Sequence, residues 1–356
     1  EKYPRCMALG EIHSTWSKAQ RTQHRDLFLT AKELEVAQML NPEQPTLEKV
    51  SIKEKPEGAT LFQSHMLFSL KTDGANNITK GKARWVFGGN KQEHDIHYTD
   101  SSAFCPKWAS IRQHLAKAAH LSRKVRVGDV SGAYLLAPPQ MEELWMAPPF
   151  DQREYDADGN LFVYKVIRNM YGRVEAGHQW GSYFSDFLIS IGFIPNPVDP
   201  CMFTRTQYVG GQEETVDLCV YVDDVCLYGN TESATNRIEK ELDDKFGNMG
   251  FTNPVYFLGC NITQTDTSLH INHSAMIDRM ATKYFPHIDG SSIDLTKVKT
   301  PFPSSAGVSL SDQPDLQGKN AQACCFCNGW FAVPMDVRRR GGAHGVGSQR
   351  GGAQRG

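Results

Sequence analysis

Two adjacent carboxylates stand between two short apolar runs in residues 216–230, which read Val-Asp-Leu-Cys-Val-Tyr-Val-Asp-Asp-Val-Cys-Leu-Tyr-Gly-Asn. Runs of about five β-branched or aromatic residues joined by a two-residue turn are typical of a β-hairpin. The pattern therefore predicts that Asp223 and Asp224 lie at the tip of a hairpin. Two like charges are then exposed, close together and held by rigid strands.

A third carboxylate, Asp129, ends a predicted strand at residues 125–130 and precedes a compact turn at residues 131–134. Adjacent carboxylates repel one another and favour a bound cation, and hard oxygen ligands suit Mg²⁺. If the strand of Asp129 lies beside the hairpin, three carboxylates could hold two Mg²⁺ ions about 4 Å apart. An Asp-Asp pair alone is more often only a turn-forming sequence. The metal-site interpretation therefore depends on the flanking sequence.

Elsewhere along the chain, helix and strand patterns alternate. Apolar residues recur at helical spacing after a predicted Ser110 cap, around Trp180 and at residues 233–246. Short β-branched or aromatic runs predict further strands at residues 161–167 and 255–262. The net charge is only −2, so overall charge does not point to a nucleic-acid partner.

The two ends of the chain carry few structural signals. Residues 1–20 lack the apolar region of a signal peptide, and the chain has no run of 18 apolar residues. We therefore expect an intracellular, cytoplasmic protein that does not span a membrane. The chain begins with Glu1 rather than Met, which suggests a piece of a longer protein. Residues 338–356 are rich in arginine and glycine and contain no acid, so disorder is expected there.

Two motifs carry a family resemblance. Tyr221-Val-Asp-Asp224 and Asp129-Val-Ser-Gly-Ala-Tyr134 resemble the central motifs of reverse transcriptases, and their order and spacing match the Pol polyproteins of copia-type (Ty/copia, Pseudoviridae) LTR retrotransposons. The resemblance covers residues 61–303, about two thirds of the chain. Further segments resemble the family in the same order: Lys82-Ala-Arg-Trp-Val86 with Asn90-Lys-Gln92, Ser110-Ile-Arg112, Met146-Ala-Pro-Pro-Phe150, Met170-Tyr-Gly172, Asp199-Pro-Cys-Met-Phe203, Phe257-Leu-Gly259 and Lys299-Thr-Pro301.

The resemblance implies an α+β right-hand polymerase fold. Fingers would occupy residues 61–120, a palm residues 121–262 and a partial thumb residues 263–303. The palm would be an antiparallel, ferredoxin-like sheet backed by helices, with the strand of Asp129 beside the hairpin. Residues 1–60 are a weakly patterned lead-in. Residues 304–356 depart from the family pattern and are expected to form an aberrant, disordered tail.

The implied function is RNA-directed DNA polymerisation by two-metal-ion nucleotidyl transfer, using two Mg²⁺ ions, or Mn²⁺ in their place. The partners would be dNTPs, an RNA or DNA template-primer duplex, and RNase H and integrase parts of a Pol polyprotein that this chain lacks. Tyr134 would lie where a ribose 2′-hydroxyl would go, and the basic residues would contact the triphosphate. The implied site consists of the catalytic and metal-binding carboxylates Asp129, Asp223 and Asp224 and the substrate-binding residues Tyr134, Arg84, Lys82 and Lys71.

Alternatives remain open at several of these positions. Tyr134 could instead be a core aromatic residue, and Arg84 or Lys82 could lie on a solvated strand face. Two of the departures from the family pattern bear on charge in the site: Gly88 stands where Arg is common, and Glu175 stands where Gln is common. A negative charge at Glu175 would oppose template and nucleotide phosphates. A catalytically decayed or domesticated nucleic-acid-binding remnant is therefore the alternative function.

Overall fold

The protein is described from a computed structural model over residues 15–72, 78–138, 143–266, 268–274, 277 and 335–338. Its helices are α1 (Trp16–Ala19), α2 (Arg25–Met39), α3 (Trp108–His120), α4 (Ala133–Leu136), α5 (Ala176–Ser190) and α6 (Glu232–Phe246). Its strands are β1 (Leu47–Ser51), β2 (Leu61–Phe62), β3 (Ser64–Thr72), β4 (Ile78–Phe87), β5 (Arg126–Asp129), β6 (Leu144–Met146), β7 (Phe162–Val166), β8 (Ile194–Pro195), β9 (Met202–Val209), β10 (Gln212–Tyr221), β11 (Asp224–Gly229), β12 (Tyr256–Phe257), β13 (Cys260–Gln264), β14 (Ser268–Asn272) and β15 (Met335–Arg338). The mixture of helices and strands confirms the α+β class.

The predicted hairpin lies in the middle of a five-stranded antiparallel sheet, the central sheet, with the strand order β5-β11-β10-β9-β8. β10 and β11 form the hairpin, with Tyr221 opposite Asp224. β5 pairs with β11 so that Asp129 lies opposite Asp224. The prediction that the strand of Asp129 lies beside the hairpin is therefore confirmed.

The central sheet is buried on both faces, which explains why the hairpin reads as continuous apolar runs rather than as an alternating pattern. Successive side chains of a strand point to opposite faces. On one face Leu218 and Leu227 pack against α5 and α6. On the other face Cys219 and Cys226 pack against α3, β13 and β14. The hairpin is thus held rigidly from both sides.

The central sheet, with the apolar clusters on its two faces, forms one core of the protein. A second core forms around the β3–β4 hairpin, α2 and a four-stranded sheet with the order β1-β7-β6-β2. Residues 16–51, which the sequence left without an assigned role, contribute Phe28 and Met39 of α2 to this core, and β1 pairs with β7. β6 and β7 belong to it as well, although they fall within the segment predicted as palm. The two cores therefore do not follow the predicted boundaries at residues 60 and 120.

Two predicted element bounds are wrong. α3 follows Lys107, whose side chain makes no capping bond, so Ser110 lies inside the helix rather than at its start. The strand predicted at residues 255–262 is split into β12 and β13. Leu258 and Gly259 have φ angles of 49° and 85°, and these left-handed conformations turn the chain between the two strands.

The C-terminal predictions are only partly within the described residues. β15 pairs with β14, so the expectation of disorder after residue 304 is wrong for residues 335–338. The rest of the predicted tail, and the predicted thumb beyond residue 274 apart from residue 277, lie outside the described residues. Among the helices of the described ranges, none is long and apolar enough to cross a membrane.

The end of β4 makes a tight backbone contact with the segment that leads towards α5. Gly172 has a φ of 91°, and a Cβ atom there would lie 2.3 Å from the carbonyl oxygen of Phe87 at the end of β4. The Phe87 N–H donates to the carbonyl oxygen of Tyr171 at 2.8 Å. Only glycine allows this approach without displacing the backbone. The contact fixes Tyr171 against the end of β4.

Candidate active site

The turn of the central hairpin is strained. β10 ends at Tyr221 and β11 begins at Asp224, so the loop consists of Val222 and Asp223, one residue earlier than the predicted Asp223–Asp224 tip. Val222 has a φ of 59°, whereas Asp223 does not have a positive φ. A positive φ at the first loop residue alone is the type II′ pattern, which normally has glycine there. A β-branched residue in this conformation costs about 1–3 kcal/mol, so the surroundings must hold it.

Two hydrogen bonds hold this turn. The indole N–H of Trp180, on α5, donates to the carbonyl oxygen of Val222 at 2.7 Å. The N–H of Val130, just after β5, donates to the carbonyl oxygen of Asp223 at 2.9 Å. Both carbonyl groups of the loop therefore have fixed partners. As a result the direction in which the Asp223 side chain leaves the turn is set by α5 and by the chain after β5.

The three predicted carboxylates interact electrostatically. Loss of solvent contact, followed by the charges of Asp223 and Asp129, raises the pKa of Asp224 to about 6. Loss of solvent contact and the charge of Asp223 also raise the pKa of Asp129. The charge of Asp223 thus disfavours ionisation of both other carboxylates. The structure brings all three predicted acids to one end of the central sheet.

This arrangement suits an open Mg²⁺ site better than a closed one. Within the described ranges, no group of three or more His, Cys, Asp or Glu side chains is arranged to hold a metal ion by itself. Mg²⁺ usually keeps several waters and takes one or two protein carboxylates together with substrate phosphates. Asp129, Asp223 and Asp224 offer hard oxygen donors on adjacent strands, and a cation would relieve their mutual repulsion. The donor set therefore fits Mg²⁺.

A basic group from the β3–β4 hairpin lies near these acids. Burial lowers the pKa of Lys82, and the charges of Arg84 and Lys71 lower it further, while Asp129 and Asp223 act in the opposite direction. The Arg84 guanidinium lies 5.2 Å from the ring centroid of Tyr171, which orients it by a cation–π contact. All three predicted basic residues are thus close enough to Asp129 for their charges to act on its pKa, opposing the rise caused by burial.

Tyr134 lies between the acidic and the basic groups. α4 begins after Gly132, whose φ of 69° turns the chain back after β5. The ring of Tyr134 is half-buried, and its centroid lies 5.5 Å from that of Tyr171. Burial raises the pKa of Tyr134, and the charge of Asp223 raises it further. The side chain therefore contacts the core and also borders the site, so both interpretations from the sequence stay open.

The expectation for Glu175 is wrong. Its side chain is buried and forms an ion pair with the guanidinium of Arg173. It also accepts a hydrogen bond from the Gln92 amide at 2.9 Å. Because its charge is compensated in the interior, it does not oppose phosphates in the site. At the other departure, a Cβ atom on Gly88 would lie 2.4 Å from the carbonyl oxygen of Gln63, so the chain packs too closely there for a larger residue.

Sequence reasoning did not assign a role to Tyr171 or Trp180, although both lie in motifs that it singled out. Their roles depend on contacts with Arg84 and Val222, which are distant in sequence. For Glu175 a signal was present, because Arg173 stands only two residues away. A compensating pair could have been suspected from that spacing, but its burial could not.

Several known proteins are similar in sequence to this chain. A family profile described as "Reverse transcriptase (RNA-dependent DNA polymerase)" matches residues 48–290. The Pol polyprotein from transposon TNT 1-94 of Nicotiana tabacum is 26% identical over 65% of this chain and 17% of its own length. The Pol polyprotein from transposon RE1 of Arabidopsis thaliana is 24% identical over 74% of this chain and 18% of its own length. The truncated transposon Ty1-A Gag-Pol polyprotein of Saccharomyces cerevisiae is 24% identical over 64% of this chain and 18% of its own length. The chain spans less than a fifth of the length of these relatives.

The hydrogen bond from Trp180 can be tested against another buried tryptophan. Trp180→Phe keeps an aromatic ring but leaves the Val222 carbonyl oxygen without this donor, so the free energy of unfolding should fall by about 1–3 kcal/mol. Trp145 is equally buried, yet its indole N–H has no hydrogen-bond partner among the described residues, so Trp145→Phe is the matched control and should cost less. Urea unfolding of both variants measures the difference. Equal losses would show that the bond does not stabilise the turn.

The raised pKa of Asp224 predicts a pH dependence of stability. An aspartate titrates near 3.9 in unfolded chains and near 6 here, so the folded protein binds this proton more tightly. The resulting stabilisation is complete below about pH 4 and is lost as the pH rises through 6, a fall on the order of 1–3 kcal/mol in EDTA. Asp224→Asn should flatten this fall, whereas Asp244→Asn, on the exposed side of α6, should not. Urea unfolding from pH 4 to 7 measures it, and identical slopes in all three proteins would contradict the coupling.

Proposed function

Because the chain belongs to the reverse transcriptase (RNA-dependent DNA polymerase) family, we propose that it extends a primer along an RNA or DNA template by adding dNTPs. The predicted resemblance to copia-type Pol polyproteins is confirmed by the relatives it matches. One observation carries the proposal. Three carboxylates, at the end of β5 and at the turn and start of β11, lie near three basic side chains of the β3–β4 hairpin.

In the proposed reaction the carboxylates would bind the metal ions. Asp129 and Asp223 would hold the metals, with Asp224 as an accessory acid. Two Mg²⁺ ions bound there would activate the primer 3′-hydroxyl for attack on the α-phosphorus and neutralise the leaving pyrophosphate. The strained turn supports this role, since hydrogen bonds from Trp180 and Val130 keep Asp223 in one orientation. Fixed ligands lose little conformational freedom when the metals and nucleotide bind.

The basic side chains would bind the triphosphate. Arg84 offers a planar fork of donors, and its contact with the Tyr171 ring keeps that fork oriented. Lys82 and Lys71 add charge beside it; burial lowers the pKa of Lys82, and the charges of Arg84 and Lys71 lower it further. A polyphosphate placed between them would offset the repulsion among the three cations. Tyr134, at the border of the site, would lie under the sugar and exclude a 2′-hydroxyl.

Further partners follow from the polyprotein relatives. Their names describe Pol or Gag-Pol polyproteins, and this chain covers less than a fifth of their length. We infer that the polymerase acts as one part of such a polyprotein, with RNase H and integrase parts and a template-primer duplex as partners. The alternative, a nucleic-acid-binding remnant, loses one of its reasons because Glu175 is neutralised by Arg173. Salt-sensitive binding of primer-template without incorporation would favour that alternative.

The metal ligands are tested by Asp223→Asn. Loss of one bridging charge should lower Mg²⁺-dependent incorporation on poly(rA)/oligo(dT) by about a hundredfold or more, since metal stabilisation of the transition state is worth several kcal/mol. Asp244→Asn, an equal charge change on the exposed side of α6, should keep wild-type activity. Melting temperatures of both variants show whether they fold. Wild-type rates for Asp223→Asn would contradict the metal-site assignment.

The sugar contact is tested by Tyr134→Ala. If the ring clashes with a 2′-hydroxyl, its removal should raise the use of rNTPs relative to dNTPs by about a hundredfold. A clash worth a few kcal/mol gives a factor of this size, since each ~1.4 kcal/mol is tenfold. A core role predicts something else: an unstable variant, with a loss of about 3–5 kcal/mol and no gain of rNTP use. The incorporation ratio and the melting temperature are measured together. An unchanged ratio in a folded, active variant would remove Tyr134 from the site.

A further inference from the structure

The chain crosses between its two cores within residues 169–176, and buried polar side chains hold this crossing. Met170 is fully buried in the core around β3 and β4, whereas Trp180 is buried beneath the central sheet. Asn169, also fully buried, donates to the carbonyl oxygen of Ala176 at 2.9 Å and accepts from the Met170 N–H at 3.0 Å. The start of α5 is thus tied to the end of the other core.

An ion pair lies at the centre of this crossing. The Arg173 side chain is 0% exposed and the Glu175 side chain 5% exposed, and the two are in direct contact. Charges so far from water need their partners, because removing one partner leaves an uncompensated charge in the interior. Removing both charges together is tolerated far better. The pair is therefore a structural unit whose two members can be tested against each other.

Gln92 connects this pair to the end of β4. Its amide nitrogen donates to the Glu175 carboxylate at 2.9 Å, and its amide oxygen accepts from the Val174 N–H at 2.9 Å. Both ends of one side-chain amide are therefore used, which fixes its position. Gln92 follows β4 by only a short 3₁₀ turn at residues 89–91. The same strand carries Lys82 and Arg84.

We propose that Glu175 is a positioning residue that sets the basic β3–β4 hairpin against the acidic turn of the central hairpin. One connection runs from Glu175 through Gln92 and back along β4 to Arg84. The other runs along α5 to Trp180, whose indole binds the carbonyl oxygen of Val222. Since each half of the site belongs to a different core, their relative position depends on this crossing. The inference rests on the proposed function, because the geometry it concerns is that of the nucleotide site.

Three variants test the proposal. Glu175→Gln keeps the size of the side chain and an acceptor for Gln92 but removes the charge that balances Arg173. Glu175→Gln combined with Arg173→Met removes both charges. Glu214→Gln is the matched control, since Glu214 is a buried carboxylate paired with Arg237 and lies away from the crossing.

Two readouts are needed for these variants. The first is steady-state dTTP incorporation on poly(rA)/oligo(dT), at a temperature where circular dichroism shows every variant to be folded. The second is amide hydrogen exchange of peptides covering residues 84–92 and 218–228, with a peptide covering residues 169–180 for comparison. We expect Glu175→Gln to lower kcat by about tenfold to a hundredfold with KM little changed, because small displacements of reacting groups have effects of this order. Exchange should rise in both peptides. In the double variant, kcat and hydrogen exchange should both return most of the way to their wild-type values. Glu214→Gln should change neither.

Several results would overturn the proposal. A wild-type kcat for Glu175→Gln would do so, as would an equal loss in Glu214→Gln, which would indicate a general effect of instability. Increased exchange confined to residues 169–180 would show that the pair acts only locally. If the wild-type chain incorporates no nucleotide, the proposed function fails. The exchange measurement then decides the positioning claim: coupled increases at residues 84–92 and 218–228 support it, and no change at residues 218–228 refutes it.

Discussion

The hydrogen bond from the Trp180 indole to the Val222 carbonyl oxygen is the interaction on which the site most depends. It holds a β-branched residue in a left-handed conformation that a free hairpin would avoid. The strained turn in turn determines where Asp223 leaves the backbone. Because the Trp180 side chain of α5 packs against Phe246 of α6, the packing of that core is coupled directly to the orientation of the half-buried Asp223. Packing in the interior therefore offsets the strain at Val222 and fixes the geometry of the turn that carries Asp223.

The site is assembled from two cores that supply opposite charges. Asp129, Asp223 and Asp224 come from the central sheet, whereas Lys82 and Arg84 come from the β3–β4 hairpin. Burial and the charge of Asp223 raise the pKa values of Asp224 and Asp129, whereas burial and the charges of Arg84 and Lys71 lower the pKa of Lys82. Like charges are therefore held close together in each core before any ligand binds. In the proposed function, polyphosphate and divalent cations would offset this repulsion.

Much of this could be predicted from the sequence, because it depends on local patterns. The hairpin, the strand of Asp129 and the periodicity of α5 and α6 are local features, and they were found where the patterns placed them. The loop position was one residue off, since local preferences do not place valine at a positive φ. The neutralisation of Glu175 was missed because it depends on burial. The role of residues 16–51 was missed because β1 finds its partner more than a hundred residues later.

That last pairing has a consequence for synthesis on the ribosome. β1 (Leu47–Ser51) pairs with β7 (Phe162–Val166), so the core containing α2 and the β3–β4 hairpin cannot close until residue 166 has been translated. At about 5–20 residues per second, the nascent chain waits on the order of ten seconds with Phe28 and Phe68 lacking part of their final surroundings. During that time the early segments are candidates for chaperone binding and for association between neighbouring chains on one polysome. We therefore expect the speed of translation between residues 51 and 166 to affect the yield of folded protein.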